Sequence, residues 1–117
     1  MPYSFRSYVG LVAIAVAVAA PLASGADALV GNAAAGKQKN AMCAGCHGIP
    51  GWRTAFPEVY SVPKLGGQHP QYIIAALREY KGGDRAHATM HAIASGLSEQ
   101  DMADLAAYYS ASVGEQK

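Results

Sequence analysis

Two cysteines and a histidine stand close together in the segment Cys43-Ala44-Gly45-Cys46-His47. Residues three apart lie on the same face of a helix, so both thiols can reach one edge of a flat cofactor. The histidine that follows the second cysteine can turn its imidazole toward a metal on that face. This spacing is typical of c-type haem attachment, in which each thiol forms a thioether with a vinyl group of the haem.

Other uses of a Cys-x-x-Cys pair have requirements that this sequence does not meet. A thioredoxin-type redox pair stands in a strand-helix unit of a parallel sheet, and no segment here keeps the alternating pattern of a strand for long. A zinc site needs a second pair of ligands, whereas Cys43 and Cys46 are the only cysteines. A short structural disulfide between these two residues is the remaining alternative.

The start of the chain has the order of a secretory signal peptide. Arg6 precedes an uninterrupted apolar run at 9–20, and small residues at 22–26 suit a cleavage site. We expect cleavage after Ala26, with Gly25 as the alternative, so that residues 1–26 are removed and residues 27–117 form one exported domain. An uncleaved membrane anchor is disfavoured because the run is shorter than the roughly 20 residues that span a bilayer.

The exported domain is small and nearly neutral. Once Arg6 is removed, eight Lys or Arg face eight Asp or Glu, so there is no broad basic field for nucleic acid. A domain of this size buries a limited core and usually needs an additional stabilising element. Two cysteines so close in sequence cannot join distant segments, whereas a covalently attached apolar cofactor could enlarge the core.

The sequence predicts an all-α domain of about four short helices that position these groups. Their predicted starts are the capping residue Asn32, Pro70, the segment at Met90, and the capping residue Ser98. The first helix runs into the Cys43 region, which places the haem motif on a helix. The second is predicted at 70–81 and the third at 90–95.

The last helix has the clearest start in the sequence. Ser98 and Asp101 have the spacing of a capping box, and Leu97 and Met102 are placed as a hydrophobic staple. The apolar stripe of this helix, which we expect to face the core, contains Met102, Leu105, Ala106 and Tyr109.

The segment at 48–62 is predicted to be a loop because it contains Pro50, Gly51 and Pro57. Loops are usually polar, so aromatic residues within one are expected to pack on something apolar. Three such residues occur here, namely Trp52, Phe56 and Tyr60.

The chain resembles the class I cytochromes c, and in particular one domain of the small bacterial periplasmic cytochromes that occur singly or as tandem two-haem proteins. The matching segments are Ala35-Gly36, the haem motif, Pro63 to Gln68, Met90, and Leu97 to Tyr109. The resemblance implies helices wrapped around one covalent haem c, with the first and last helices crossing at Gly36 against the region of Ala107 and Tyr108. It also implies periplasmic one-electron transfer without substrate chemistry. A single haem motif, no extra cysteine pair and a longer 48–62 loop depart from parts of that group.

The resemblance further implies that the iron is held by His47 on one side and by a methionine on the other. Met90 occupies the family's position for this methionine, between Gly82-Gly83 and the last helix. His87 and His91 are alternatives that would give bis-histidine ligation. A vacant distal site would instead suit a haem enzyme or a gas-binding module.

The two other methionines of the exported domain are weaker candidates for the distal ligand. Met42 directly precedes Cys43, so it is tethered on the His47 side of the haem. Met102 belongs to the apolar stripe of the last helix, where a core position is expected.

By the same resemblance, the Pro63 carbonyl accepts the Nδ1 proton of His47, and Leu65 packs on the haem. Gln68, Arg78 and Arg85 are candidates for contacts to the haem propionates, since Arg suits carboxylates, and each is otherwise a solvated surface residue. Trp52 and Tyr60 are candidates to cover the haem edge or to fill the loop.

The partners that this resemblance implies are redox proteins: a quinol-oxidising complex, a terminal oxidase or a periplasmic dehydrogenase. Nucleic acid is not among the expected partners, and no stable membrane insertion is expected after signal cleavage.

Overall fold

A computed structural model of the chain describes residues 29–56 and 58–112. They form five helices, α1 (Ala33–Lys39), α2 (Ala41–His47), α3 (Pro70–Gly82), α4 (Ala88–Ser95) and α5 (Glu99–Ala111), which confirms the all-α class. None of the helices in these two ranges is long and apolar enough to cross a membrane. The predicted signal peptide at 1–26 lies outside the described residues.

The first predicted helix is divided in two at Asn40. The Asn32 side chain accepts hydrogen bonds from the backbone amides of Ala34 and Ala35. Asn32 is therefore the N-cap of α1, as the sequence predicted. Asn40 ends α1 and also stands at the start of α2. Asparagine has a low helix propensity, so a break before the haem motif is favoured at this position.

The next two helices agree closely with the predicted ones. Pro70 is at the start of α3, and Gly83 ends that helix in the left-handed conformation, with φ of 88°. α4 begins at Ala88, two residues before the predicted start, because the side chain of His87 caps it.

The capping box predicted for α5 is present. The amide of Asp101 donates to the Ser98 hydroxyl at 3.1 Å, and the amide of Ser98 donates to the Asp101 carboxylate at 2.9 Å. Helix α5 is therefore capped at its start, as the sequence predicted.

Helix α1 crosses α5 at a point where there is no room for a side chain. A Cβ atom at Gly36 would lie 2.1 Å from the carbonyl oxygen of Asp104 and 2.8 Å from the Cβ of Tyr108. The predicted contact of Gly36 with the Tyr108 region is therefore confirmed. Gly31, just before α1, is equally close to the Ala103 carbonyl, at 2.0 Å, and no sequence pattern pointed to it.

A buried carboxylate fastens the same crossing. Asp104 is only 3% exposed. Its carboxylate accepts hydrogen bonds from the Lys39 ammonium at 2.6 Å, from the backbone amide of Asn32 at 2.8 Å and from the Gln100 side chain at 2.8 Å. Lys39 also pairs with Asp101 at 2.8 Å. The hydrogen bond from Lys39, followed by those from Asn32 and Gln100, lowers the pKa of Asp104 to about 2.

The hydrophobic core lies where α3 packs against α5 and α4. Its buried members are Ile73, Leu77, Ala94, Met102, Leu105, Ala106 and Tyr109. The whole predicted stripe of α5 is therefore buried, and Met102 is fully inaccessible to solvent, at 0% exposure. Residues packed against the edge of this core include Cys43, Leu65, Tyr80 and Met90.

Candidate haem site

One cleft collects residues from α2, the segment after it, α3, α4 and α5. Helix α2 contributes Cys43, Cys46 and His47, and α4 contributes Met90. The space between the walls is about 1260 Å³, including its open mouth. The lining is mainly apolar and includes Val62, Leu65, Ile73, Leu77, Ile93, Leu105 and Tyr109.

The two thiols lie three residues apart on α2, and therefore on one face of that helix. Neither is in a disulfide. Burial raises the pKa of the Cys43 thiol, whereas the reactive cysteine of a thiol-redox protein has a lowered pKa. The described part of the chain also contains no group of three or more His, Cys, Asp and Glu side chains that could hold a metal ion. A partly buried Cys43 thiol, and two thiols on one helical face, favour attachment to one cofactor over thiol redox chemistry.

His47 is oriented by the segment that follows the loop. Its Nδ1 lies 2.7 Å from the carbonyl oxygen of Pro63. A carbonyl can only accept, so Nδ1 carries the proton and donates it, and Nε2 keeps its lone pair for a metal. The contact expected from the resemblance is therefore present in the structure.

The three methionines of the described chain differ in their access to the cleft. Met90, the third residue of α4, is half-buried and lines the cleft. Met42 also lines it but is 69% exposed and adjacent to Cys43. Met102 is in the core and is not part of the lining. Met90 is thus the methionine that can reach the cleft from a helix other than the one that carries the thiols.

Both histidines that could replace Met90 have hydrogen-bonding partners of their own. The Nδ1 of His91 lies 2.7 Å from the Tyr80 carbonyl oxygen, and His91 does not line the cleft. His87 does line it, but its Nδ1 accepts a hydrogen bond from the Met90 amide at 3.3 Å. Only the Nε2 atom of His87 remains for another ligand.

The structure separates the three candidates for the haem propionates. Arg78 donates from Nε to Glu99 at 2.8 Å and does not line the cleft. Arg85 and Gln68 do line it. Lys64 is a further cation in the lining, and no sequence pattern pointed to it.

The Arg85 guanidinium is held in place between two tyrosines at the cleft. It lies 3.3 Å from the Tyr72 hydroxyl and 5.2 Å from the centre of the Tyr80 ring, and its Nε is 3.7 Å from the Glu79 carboxylate. The hydrogen bond to Tyr72 contributes most to the raised pKa of Arg85, and the guanidinium places a positive charge beside the cleft.

The 48–62 loop folds back on itself and forms part of the cleft wall. The amide of Thr54 donates to the Tyr60 carbonyl and that of Val62 to the Trp52 carbonyl, both at 2.9 Å, and Thr54 and Val62 line the cleft. The expectation that the loop aromatics pack on apolar groups is wrong for Phe56, which is 86% exposed. Trp52 and Tyr60 are also exposed, at 43% and 39%, and neither lines the cleft. Phe56 lies in the tip between Thr54 and Tyr60, beyond the paired backbone.

One wall of the cleft carries a buried polar atom. The hydroxyl of Tyr109 is buried and has no hydrogen-bond partner among the described residues. It lies near the Cys43 thiol, and burial raises the pKa of Tyr109. A mainly apolar cleft with two thiols on one helical face and an oriented imidazole fits a covalently attached haem.

Comparison with known proteins agrees with this geometry. The family model of cytochrome c matches residues 33–110. Cytochrome c-554(548) of Halomonas halodenitrificans is 42% identical over 83 residues, which cover 68% of this chain and 95% of the relative. Cytochrome c4 of Pseudomonas aeruginosa is 40% identical over 79 residues, which cover 68% of this chain and 37% of the relative.

A solved structure shows the same fold. The crystal structure of reduced recombinant cytochrome c4 from Pseudomonas stutzeri superposes with a TM-score of 0.57 at 35% identity, covering 71% of this chain and 46% of that chain. This chain thus spans less than half of these two cytochromes c4 and almost all of the cytochrome c-554(548). The chain belongs to the cytochrome c family, whose cofactor is a covalently bound haem c.

Proposed function

We propose that the protein is a one-electron carrier, with one haem c attached through thioethers to Cys43 and Cys46 in the domain at 27–117. The bound haem supplies an iron that alternates between the ferric and ferrous states. The chain supplies attachment, axial ligands and an apolar surrounding. The observation that carries the proposal is the presence of His47 and Met90 in one cleft.

His47 is proposed to bind the iron through Nε2, with its ring held by the bond from Nδ1 to Pro63. Met90 is proposed as the second ligand, and its thioether favours ferrous iron and raises the potential. Two ligands that stay in place exclude oxygen and peroxide from the metal. Leu65, which lines the cleft, is proposed to pack on the porphyrin.

Electrons are proposed to enter and leave near Cys46, which is half-buried at the cleft. Encounters between redox proteins are brief and use small interfaces. The proposed partners are a quinol-oxidising complex, a terminal oxidase or a periplasmic dehydrogenase, and we propose no substrate chemistry for this domain. The signal-like segment at 1–26 supports export to the periplasm.

The Met90→Ala variant tests the distal ligand. In the wild-type ferric protein we expect the weak far-red band of methionine sulfur bound to haem iron, and in the reduced protein we expect little binding of carbon monoxide at neutral pH. Met90→Ala should lose the band and bind carbon monoxide readily, because the iron then has an open position. Met42→Ala, which removes another methionine from the cleft lining, is the matched control and should behave as the wild type.

The alternative function is that of a haem enzyme or gas-binding module with an open distal site. It predicts rapid carbon monoxide binding by the reduced wild-type protein and no sulfur-to-iron band. A band that persists in Met90→Ala would show that another side chain binds the iron. A denatured wild-type protein without covalent haem, from a host that matures c-type cytochromes, would contradict both functions.

A further inference from the structure

His87 holds the start of the helix that carries Met90. It is the N-cap of α4, with extended backbone angles of φ −165° and ψ 104°. Its Nδ1 accepts a hydrogen bond from the Met90 amide at 3.3 Å, and its carbonyl accepts one from the His91 amide at 2.8 Å. The first amides of a helix have no partner within the helix, so the Met90 amide depends on His87 for its hydrogen bond.

The His87 ring also joins α4 to two other parts of the fold. Its centre lies 4.5 Å from that of the Tyr60 ring and 6.1 Å from that of the Tyr80 ring, within the range of favourable aromatic contacts. Tyr60 belongs to the 48–62 loop and Tyr80 to α3. Serine, threonine, asparagine or aspartate can serve as an N-cap, but these residues have no aromatic ring and cannot also make the contacts with Tyr60 and Tyr80.

The aromatic neighbour from the loop is itself held in place. The Tyr60 hydroxyl donates to the Glu58 carboxylate at 2.8 Å, and the Tyr60 amide donates to the Thr54 hydroxyl at 3.1 Å. On the other side, the Tyr80 ring lies under the Arg85 guanidinium at 5.2 Å. The His87 ring is therefore anchored by side chains that are themselves bonded.

We propose that His87 is a positioning residue for the distal iron ligand. Its Nδ1 holds the Met90 backbone, while Tyr60 and Tyr80 hold its ring. This inference rests on the proposed function, in which Met90 binds the iron. Without the cap, the first turn of α4 opens more often, and the Met90 sulfur gives way more easily to an added ligand.

The test measures binding of imidazole to the ferric holoprotein, because imidazole must displace the distal ligand. His87→Ala should raise imidazole affinity roughly 2- to 30-fold, the factor that corresponds to loss of one N-cap, and should weaken the sulfur-to-iron band. His87→Asn can still cap α4 and should return the affinity most of the way to the wild-type value.

The matched control is His69→Ala. His69 caps α3 in the same way, with Nδ1 3.3 Å from the Gln71 amide, but α3 carries no proposed iron ligand. This variant should lower thermal stability and leave imidazole affinity unchanged. Equal rises in His69→Ala and His87→Ala would overturn the proposal, since the cause would then be a general loss of stability.

Two further outcomes keep the inference testable. An asparagine variant with the affinity of His87→Ala would overturn it, because the cap would not be what holds Met90. Tyr60→Leu keeps the cap and removes one ring contact, so it should raise imidazole affinity by a smaller factor, and wild-type affinity in this variant would also overturn the proposal. A wild-type protein without the sulfur-to-iron band would instead contradict the proposed function.

Discussion

Four histidines show how the surroundings of a residue decide its chemistry. Nδ1 of His47 and of His91 faces a carbonyl oxygen and must carry a proton. Nδ1 of His69 and Nδ1 of His87 each accept a hydrogen bond from a backbone amide, so these two atoms carry no proton. Of the four, only His47 and His87 line the cleft. His47 is the one that lies on α2 with the two thiols, and its hydrogen bond to Pro63 leaves the Nε2 atom unprotonated and free to bind a metal.

Arg85 and Arg78 also differ in their surroundings, since Arg85 lines the cleft and Arg78 does not. Arg85→Gln should lower the reduction potential, by on the order of tens of millivolts, because a cation beside the haem disfavours the more positive ferric state. Arg78→Gln is the matched control, since Arg78 pairs with Glu99 and does not line the cleft. The measurement is the midpoint potential of the wild type and of both variants by redox titration. Equal shifts in the two variants would contradict a specific role for Arg85.

At the scale of elements, the crossing of α1 and α5 combines close backbone contact with a buried charge. Gly31 and Gly36 let the two backbones approach. Asp104, on α5, then bonds to the Asn32 amide at the start of α1 and to Lys39 at its end. The crossing is therefore held at both ends of α1, immediately before the helix that carries the haem motif.

Because Asp104 is charged in this arrangement, the stability of the folded chain should depend on pH in the acid range. The pKa of Asp104 is about 2 in the folded chain, below its ordinary value of 3.8. The carboxylate therefore contributes stability above about pH 4, and that contribution is lost as the pH falls toward 2. We expect Asp104→Asn to be less stable than the wild type at pH 7 and to lose less stability between about pH 4 and 2.

Thermal unfolding of the holoprotein across this pH range provides the measurement. Asp84→Asn is the control, because Asp84 forms no ion pair within the described chain. If wild type and Asp104→Asn lose stability in parallel on acidification, the bonds at Asp104 are not the source of the acid sensitivity.

At the scale of the whole molecule, the core and the haem cleft share a wall. Ile73, Leu77, Leu105 and Tyr109 belong to the buried core and also line the cleft. A domain this small buries little apolar surface by itself. A haem held in the cleft would add apolar packing against the core residues of α3 and α5.

A variant without the thioethers tests this dependence. The double substitution Cys43→Ser and Cys46→Ser should abolish haem staining on a denaturing gel and reduce helical content. Its melting temperature should fall by about 10 °C or more, the change expected for a loss of ~2 kcal/mol in a domain of this size. Met90→Ala, which keeps both thioethers, is the control and should retain most of its helical circular dichroism. Equal helicity in all three proteins would show that the fold is stable without its cofactor.

The local features of this protein were predictable from the sequence. The haem motif, the caps at Asn32 and Ser98, and the stripe on α5 each depend on residues a few positions apart. Helical geometry alone relates such residues, so the helix starts at 33, 70 and 99 and the burial of Met102 followed from spacing. The cytochrome c family followed from the same motifs and their order.

The tertiary structure decided what depends on residues far apart in sequence. Arg78 and Arg85 look alike in the sequence, but only the fold places one beside Glu99 and the other in the cleft. The need for glycine at Gly31 comes from a carbonyl on α5, and the role of His87 comes from rings on the loop and on α3. Hydrogen bonds and close contacts act over only a few ångströms, so such assignments exist only once packing has brought the partners together.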